Sequence, residues 1–166
     1  MTRDVDCYLI ALKRGHINLL RRLKSDFGWD ITISNRDYNM YILAAKFGQW
    51  EVMQHLVSTF YWNVYCVDRH DNNAYLMAAR YGRLEVMQNL EKNYEWDISR
   101  TNRMGEDAYL MAAKGNKLEI LKYLESKHKW NVNVENIKGN NALLLAASNN
   151  GTDTMRHLVY THKISF

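Results

Sequence analysis

Six histidines (His16, His55, His70, His128, His157, His162) and two cysteines (Cys7, Cys66) are the side chains of this 166-residue chain best suited to hold a transition metal. None stands in the Cys-x-x-Cys or His-x-x-x-His spacing that sets two zinc ligands side by side, so no metal site is predicted. The cysteines read as small buried residues rather than as a disulfide. No Ser, Cys or Lys occupies a nucleophile signature, and no glycine-rich phosphate loop follows a strand pattern. Carboxylate pairs such as Asp68 and Asp71 fall where turn formation explains them better than acid–base work. The expectation is a protein that is not an enzyme and needs no cofactor.

Recognition is the chemistry that remains. Lys13, Lys46, Arg80 and Lys114 occupy one recurring slot, and Arg14, Phe47 and Tyr81 follow it in three of the four copies. A Lys or Arg ending a helix complements the negative end of its dipole. Exposed Tyr and Arg are also the residue types that most often carry interface energy.

These residues must be positioned by a repeat. Trp29-Asp30-Ile31, Trp62-Asn63-Val64, Trp96-Asp97-Ile98 and Trp130-Asn131-Val132 recur at intervals of 33, 34 and 34 residues. Tyr41-Ile42-Leu43-Ala44-Ala45, Tyr75-Leu76-Met77-Ala78-Ala79, Tyr109-Leu110-Met111-Ala112-Ala113 and Leu143-Leu144-Leu145-Ala146-Ala147 keep the same register. Trp50-Glu51-Val52-Met53, Leu84-Glu85-Val86-Met87 and Leu118-Glu119-Ile120-Leu121 follow at fixed distance. One domain over 1–166 is predicted, with repeats at about 5–38, 39–72, 73–106, 107–140 and 141–166.

Each unit opens with a helix cap, at Asp6, Asn39, Asn73, Asp107 or Asn141, whose side-chain oxygen can accept a first-turn amide. A short helix then stops near Gly15, Gly48, Gly82, Asn116 or Asn150, residues that tolerate the left-handed conformation. The second helix sets Leu84, Val86, Met87 and Leu90 inward and leaves Arg83, Gln88 and Glu91 to water. The Trp motif, recurring after every second helix, reads as shared core packing and as one short extended segment. A hairpin-like loop rich in Asn, Asp and Gly closes the unit.

An apolar share of 47% is ample for a continuous core, while the net charge of +4 is spread over the chain without a like-charge run. That pattern argues against a nucleic-acid arm. The charged start and the lack of any run of about 18 apolar residues point to a cytoplasmic protein without a membrane segment.

The unit resembles an ankyrin repeat across about residues 5–164. The family's small-residue pair is matched at Ala44-Ala45, Ala78-Ala79, Ala112-Ala113 and Ala146-Ala147, its turn glycine at Gly15, Gly48 and Gly82, and its Leu-Glu-Val-Val segment at Leu84-Glu85-Val86-Met87. Its Thr-Pro-Leu-His opening appears instead as Asn73-Ala74-Tyr75-Leu76 and Asp107-Ala108-Tyr109-Leu110, with no proline in the chain. The tetratricopeptide repeat shares the period but needs longer helices and almost no linker. The resemblance implies an all-α solenoid of about five helix-turn-helix repeats joined by short hairpin loops, with a concave face that binds another protein. Carried over by position, that face comprises the slot residues Lys13, Arg14, Lys46, Phe47, Arg80, Tyr81 and Lys114. It also takes in the loop residues Arg36, Tyr38, Arg69, His70, Asn72, Arg103, Met104, Glu106, Ile137, Lys138 and Asn140. Asn133 resembles the loop asparagine that asparaginyl hydroxylases modify in some members.

The sequence therefore predicts a monomeric, non-enzymatic scaffold for a protein partner, an acidic or mixed-charge segment. A nucleic-acid-binding module is the first rival, suggested by a pI near 9.0. A structural spacer within a longer array is the second, because the chain stops where another extended segment would begin. Thr152 and Thr154, in place of Leu118 and Ile120, read against that as a solvent-facing capping repeat.

Overall fold

The structure, a computed structural model, describes residues 2–28 and 39–162. Helices alternate in two sets along the chain. The first helix of each repeat is α1 (Thr2–Lys13), α3 (Met40–Phe47), α5 (Ala74–Tyr81), α7 (Ala108–Lys114) or α9 (Ala142–Ser148). The second is α2 (Ile17–Phe27), α4 (Trp50–Phe60), α6 (Leu84–Asn93), α8 (Leu118–His128) or α10 (Thr152–His162). Among the described residues there is no strand, only an isolated bridge between Glu135 and Asn141. The all-helical solenoid expected from the repeat is what the chain forms.

Four of the five expected caps are made. Asn39, Asn73, Asp107 and Asn141 each accept a first-turn amide, as in Leu76 N–H to Asn73 Oδ1 at 2.9 Å and Leu110 N–H to Asp107 Oδ1 at 2.9 Å. Asp6 is a correction: α1 already runs from Thr2, so Asp6 lies exposed inside it. Residues 2–5, Thr-Arg-Asp-Val, hold neither proline nor glycine, so helix propagates through them. The stops fall where expected, with Gly48 and Gly82 left-handed at φ 80° and 73°, and Asn116 and Asn150 at 56° and 58°. A side chain at Gly48 or Gly82 would also collide with Arg83 or Lys117 of the following repeat.

First helices pack directly on one another, whereas second helices touch far less, so the first-helix side is the inside of the bend. Close approach follows from side-chain size: Ala44, Ala45, Ala78, Ala79, Ala112, Ala113 and Ala146 are fully buried. Tyr41, Tyr75 and Tyr109, near the start of the same helices, are fully buried with them.

The Trp-Asx-aliphatic motif is not extended, which corrects the sequence reading. Asn63, Asp97 and Asn131 instead accept the amide two residues on, from Tyr65 (3.0 Å), Ser99 (3.0 Å) and Asn133 (3.1 Å). An Asx side chain there competes successfully with strand geometry, and among the described residues no neighbouring strand opposes it. Trp62, Trp96 and Trp130 lie partly buried against the core, while Trp29 falls outside the described residues. The Trp130 indole donates to Asp107 Oδ2 at 2.9 Å, so one carboxylate caps α7 and anchors the tryptophan. Asn73 has one oxygen, used for the cap, and the buried Trp96 Nε1 has no hydrogen-bond partner. Its ring stacks on Tyr65 with centroids 5.4 Å apart.

Other surface expectations change too. Arg83 does not simply face water: its Nε donates to the Lys46 carbonyl at 3.0 Å, and Gln49 likewise reaches the Lys13 carbonyl at 3.0 Å. Both tie the start of a second helix to the open end of the first helix in the previous repeat. Thr154 is buried, at 2% exposure, because it occupies the inward position that Ile120 fills one repeat earlier. Cys66 is partly buried, but Cys7 is exposed on α1, which has a neighbouring first helix on one side only among the described residues.

Two stability outcomes follow. Ala79→Leu should cost about 1–3 kcal/mol or more by overpacking between first helices, whereas Glu85→Leu on the exposed face should stay within about 0.5 kcal/mol; equal urea midpoints would refute the packing described. Asp107→Asn keeps the cap but leaves Trp130 without an acceptor, and should cost about 1–3 kcal/mol in the same measurement.

Candidate functional site

The recurring slot does form a column. Lys46 Nζ lies 4.7 Å from the centroid of the Tyr81 ring and 5.6 Å from that of Phe47; Lys13 Nζ is 5.8 Å from Phe47, and Arg80 Cζ 5.8 Å from Tyr81. Cation and ring thus alternate across three repeats, each contact worth roughly 0.5–1 kcal/mol at exposed sites. Lys13, Lys46 and Arg80 make no ion pair among the described residues. Arg14 is exposed beside Lys13.

Lys114, in the same slot, differs. Its ammonium reaches back along α7 to both oxygens of Glu106, at 2.7 and 2.9 Å. Glu106 was expected on the surface but is 2% exposed, and Asn72, at the equivalent place one repeat earlier, is 6% exposed. Both are corrections. Their side chains turn inward to hold the loops: Asn102 Nδ2 donates to Asn72 Oδ1 (2.9 Å) and to Glu106 Oε2 (3.0 Å). Burial alone would raise the Glu106 pKa, but Lys114 and Asn102 outweigh it and hold the carboxyl below its ordinary range.

The loop tips are built by one repeated device that the sequence reading missed. Asp68, Asn102 and Asn136 each accept the amides two and four residues on: His70 and Asn72, Met104 and Glu106, Lys138 and Asn140. Successive tips then join through the main chain, Arg103 N–H to the His70 carbonyl at 3.0 Å and Ile137 N–H to the Met104 carbonyl at 2.9 Å. Arg69, His70, Arg103, Ile137 and Lys138 are exposed along this strip, and Met104 and Asn140 half-buried. Arg103 pairs with Asp71 at 2.9 Å. Arg36 and Tyr38 lie outside the described residues; Asn133 is exposed on its Asx turn.

On the second-helix side the structure gathers residues that the sequence reading left scattered. Glu91, placed in water from its helical phase, is a half-buried node. It accepts from Tyr75 Oη (2.7 Å), Tyr123 Oη (2.9 Å) and Lys127 Nζ (2.9 Å), with His128 Nε2 at 3.3 Å. Burial opposes its charge, yet these donors hold its pKa down, while burial and the Glu91 acceptor push the Tyr75 phenol up. Glu125, 34 residues on, repeats the node with Tyr109 Oη (2.8 Å), His157 and His162. The missed signal was positional: Tyr75/Tyr109, Glu91/Glu125, Tyr123/His157 and His128/His162 are each one repeat apart.

The Lys114–Glu106 pair sets a pH dependence. Because the Glu106 pKa is lower in the folded state, its contribution is complete above the unfolded value near 4.5 and is lost as pH falls through the folded value. Glu106→Gln, isosteric with the protonated acid, should therefore be clearly less stable than the unaltered chain at about pH 7, and the gap in urea midpoint should close as the pH falls toward about 3. A gap independent of pH would refute the assignment.

No helix among the described residues is long and apolar enough to cross a membrane. Among curated proteins, none matches the chain. The family model for ankyrin repeats (3 copies) matches residues 76–166, more than half of the sequence. The chain belongs to the ankyrin-repeat family, whose members are generally non-enzymatic modules of protein–protein interaction.

Proposed function

We propose that the chain is a protein-binding scaffold whose partner, an acidic or mixed-charge segment, seats on the first-helix side along Lys13, Phe47, Lys46, Tyr81 and Arg80. The observation that carries this is the alternation of three cations with two aromatic rings and no carboxylate among the described residues to neutralise them. The rings hold the ammonium and guanidinium groups in place before binding, which lowers the entropy lost when a partner carboxylate arrives. Apolar contact with the same rings supplies affinity that charge alone would not. The loop tips, with Arg69, His70, Arg103, Met104, Ile137 and Lys138, extend the surface as its rim, and Arg14 extends it past Lys13. Lys114, already neutralised by Glu106, adds little attraction for an acid. The reading has the protein act as a monomer in the cytoplasm, where the thiols of Cys7 and Cys66 stay reduced.

The double change Arg80→Glu with Tyr81→Ala should weaken partner binding by about 2 kcal/mol or more, roughly thirtyfold, while the fold persists with a stability loss of no more than about 1–2 kcal/mol from the two cation–ring contacts removed. The control, Glu85→Ala with Gln88→Ala on exposed positions of α6, should leave affinity unchanged. Binding kept by the first variant and lost by the second would place the partner on the opposite side. A fall of roughly a thousandfold or more between about 50 and 200 mM salt would mark the partner as nucleic acid.

A further inference from the structure

We infer that Glu125, His157 and His162 form a binding site for a divalent transition ion of the zinc type, joining α8 to α10. His157 Nε2 lies 3.0 Å from Glu125 Oε2, and His162 Nε2 lies 3.0 Å from Glu125 Oε1. The three ligand atoms all fall within 4.8 Å of one another. Bonds of about 2.0–2.1 Å to tetrahedral zinc place ligand atoms about 3.3 Å apart, so small rotations of the side chains suffice.

Comparison with the Glu91 node separates this cluster from a plain hydrogen-bonded carboxylate. Glu91 is neutralised by the fixed cation Lys127, and another of its partners on α8, Tyr123, brings a phenol that donates to it where a metal ligand would need an imidazole lone pair. At Glu125 both are exchanged: Thr161 stands in the lysine position and His157 in the tyrosine position. The exchange removes the cation and supplies a second imidazole lone pair. His162 Nε2 is shielded from solvent and, although near Glu125, is not aligned to hydrogen-bond with it. The cluster thus holds a carboxylate and two imidazole nitrogens with no Lys or Arg paired to it among the described residues.

The groups around the three ligands have the form that metal sites use. Tyr109 Oη donates to Glu125 Oε1 at 2.8 Å and orients the carboxylate. His157 Nδ1 lies 3.3 Å from Thr161 Oγ1; with its N–H directed there, Nε2 keeps the lone pair for the ion. Two imidazoles and one carboxylate select zinc, cobalt or copper over magnesium and calcium. A fourth position is left for water. Binding displaces any proton shared between imidazole and carboxylate.

The test titrates the full chain, at neutral pH, with zinc, cobalt and magnesium ions as probes. One equivalent of zinc should bind and raise the melting temperature, with no rise for magnesium. His157→Ala and His162→Ala should each weaken zinc by about tenfold or more, whereas His128→Ala, at the Glu91 node, should bind as the unaltered chain does. On the unaltered protein, cobalt should give visible ligand-field bands without the thiolate charge-transfer band that Cys7 or Cys66 would bring. Absence of binding, binding that survives both histidine substitutions, or a thiolate band would overturn the site, whether or not the column on the first-helix side proves to bind a partner.

Discussion

The close approach of successive first helices is the constraint on which the rest of this structure depends. It is made by side chains that are hardly there: Ala44-Ala45, Ala78-Ala79 and Ala112-Ala113 are fully buried, so backbones meet where larger residues would hold them apart. Second helices carry no such pair and splay, and the stack bends toward the first-helix side. The bend brings residues a repeat apart close enough for Lys46 to sit over Tyr81 and for the Arg103 amide to reach the His70 carbonyl. A repeat alone would bury neither its alanines nor its tyrosine, so stability is shared between neighbours.

Close packing buries polar groups as well, and an unpaired buried group costs more than a made hydrogen bond contributes. The chain meets this with carboxylates and amides placed between repeats. Glu91 collects two phenols, an ammonium and an imidazole from its own and the next repeat, and Asn102 ties Asn72 to Glu106. Asp107 serves both a helix terminus and the Trp130 indole. The Glu91 and Asn102 nodes fix register, since sliding one repeat against the next by a residue would strand both.

What the sequence disclosed and what it hid divide by range. Asn39, Asn73, Asp107 and Asn141 were legible because a cap is satisfied within three residues, and so were the stops at Gly48, Gly82, Asn116 and Asn150. Glu91 and Arg83 were misread because the helical phase of one segment says nothing of the helix that comes to lie beside it; their partners in neighbouring repeats stand 32 to 37 residues away. Asn72 and Glu106 were misplaced for a related reason: they stand in the same loops as the exposed His70 and Arg103, but Asn102 draws their side chains inward. The slot column was legible as a recurrence, yet its alternation with the rings depends on curvature, which no single repeat encodes.

The repeat also separates two tasks that a compact domain would have to reconcile. Its first helices set the spacing of the slot residues, and in two repeats the residue before the cap sets whether the slot cation is paired. Where that residue is Glu106 it neutralises Lys114, and where it is Asn72, whose amide is engaged by Asp68 and Asn102, Arg80 keeps its charge. At these two rungs the side chain eight residues before the slot therefore decides whether the slot cation is paired. On the second-helix side the same logic runs through Glu91 and Glu125, where exchanging Tyr123 and Lys127 for His157 and Thr161 changes the donor set without touching the alanine seam. Because the seam carries the stacking and the variable positions lie outside it, chemistry on either face can change from repeat to repeat while the fold stays as it is.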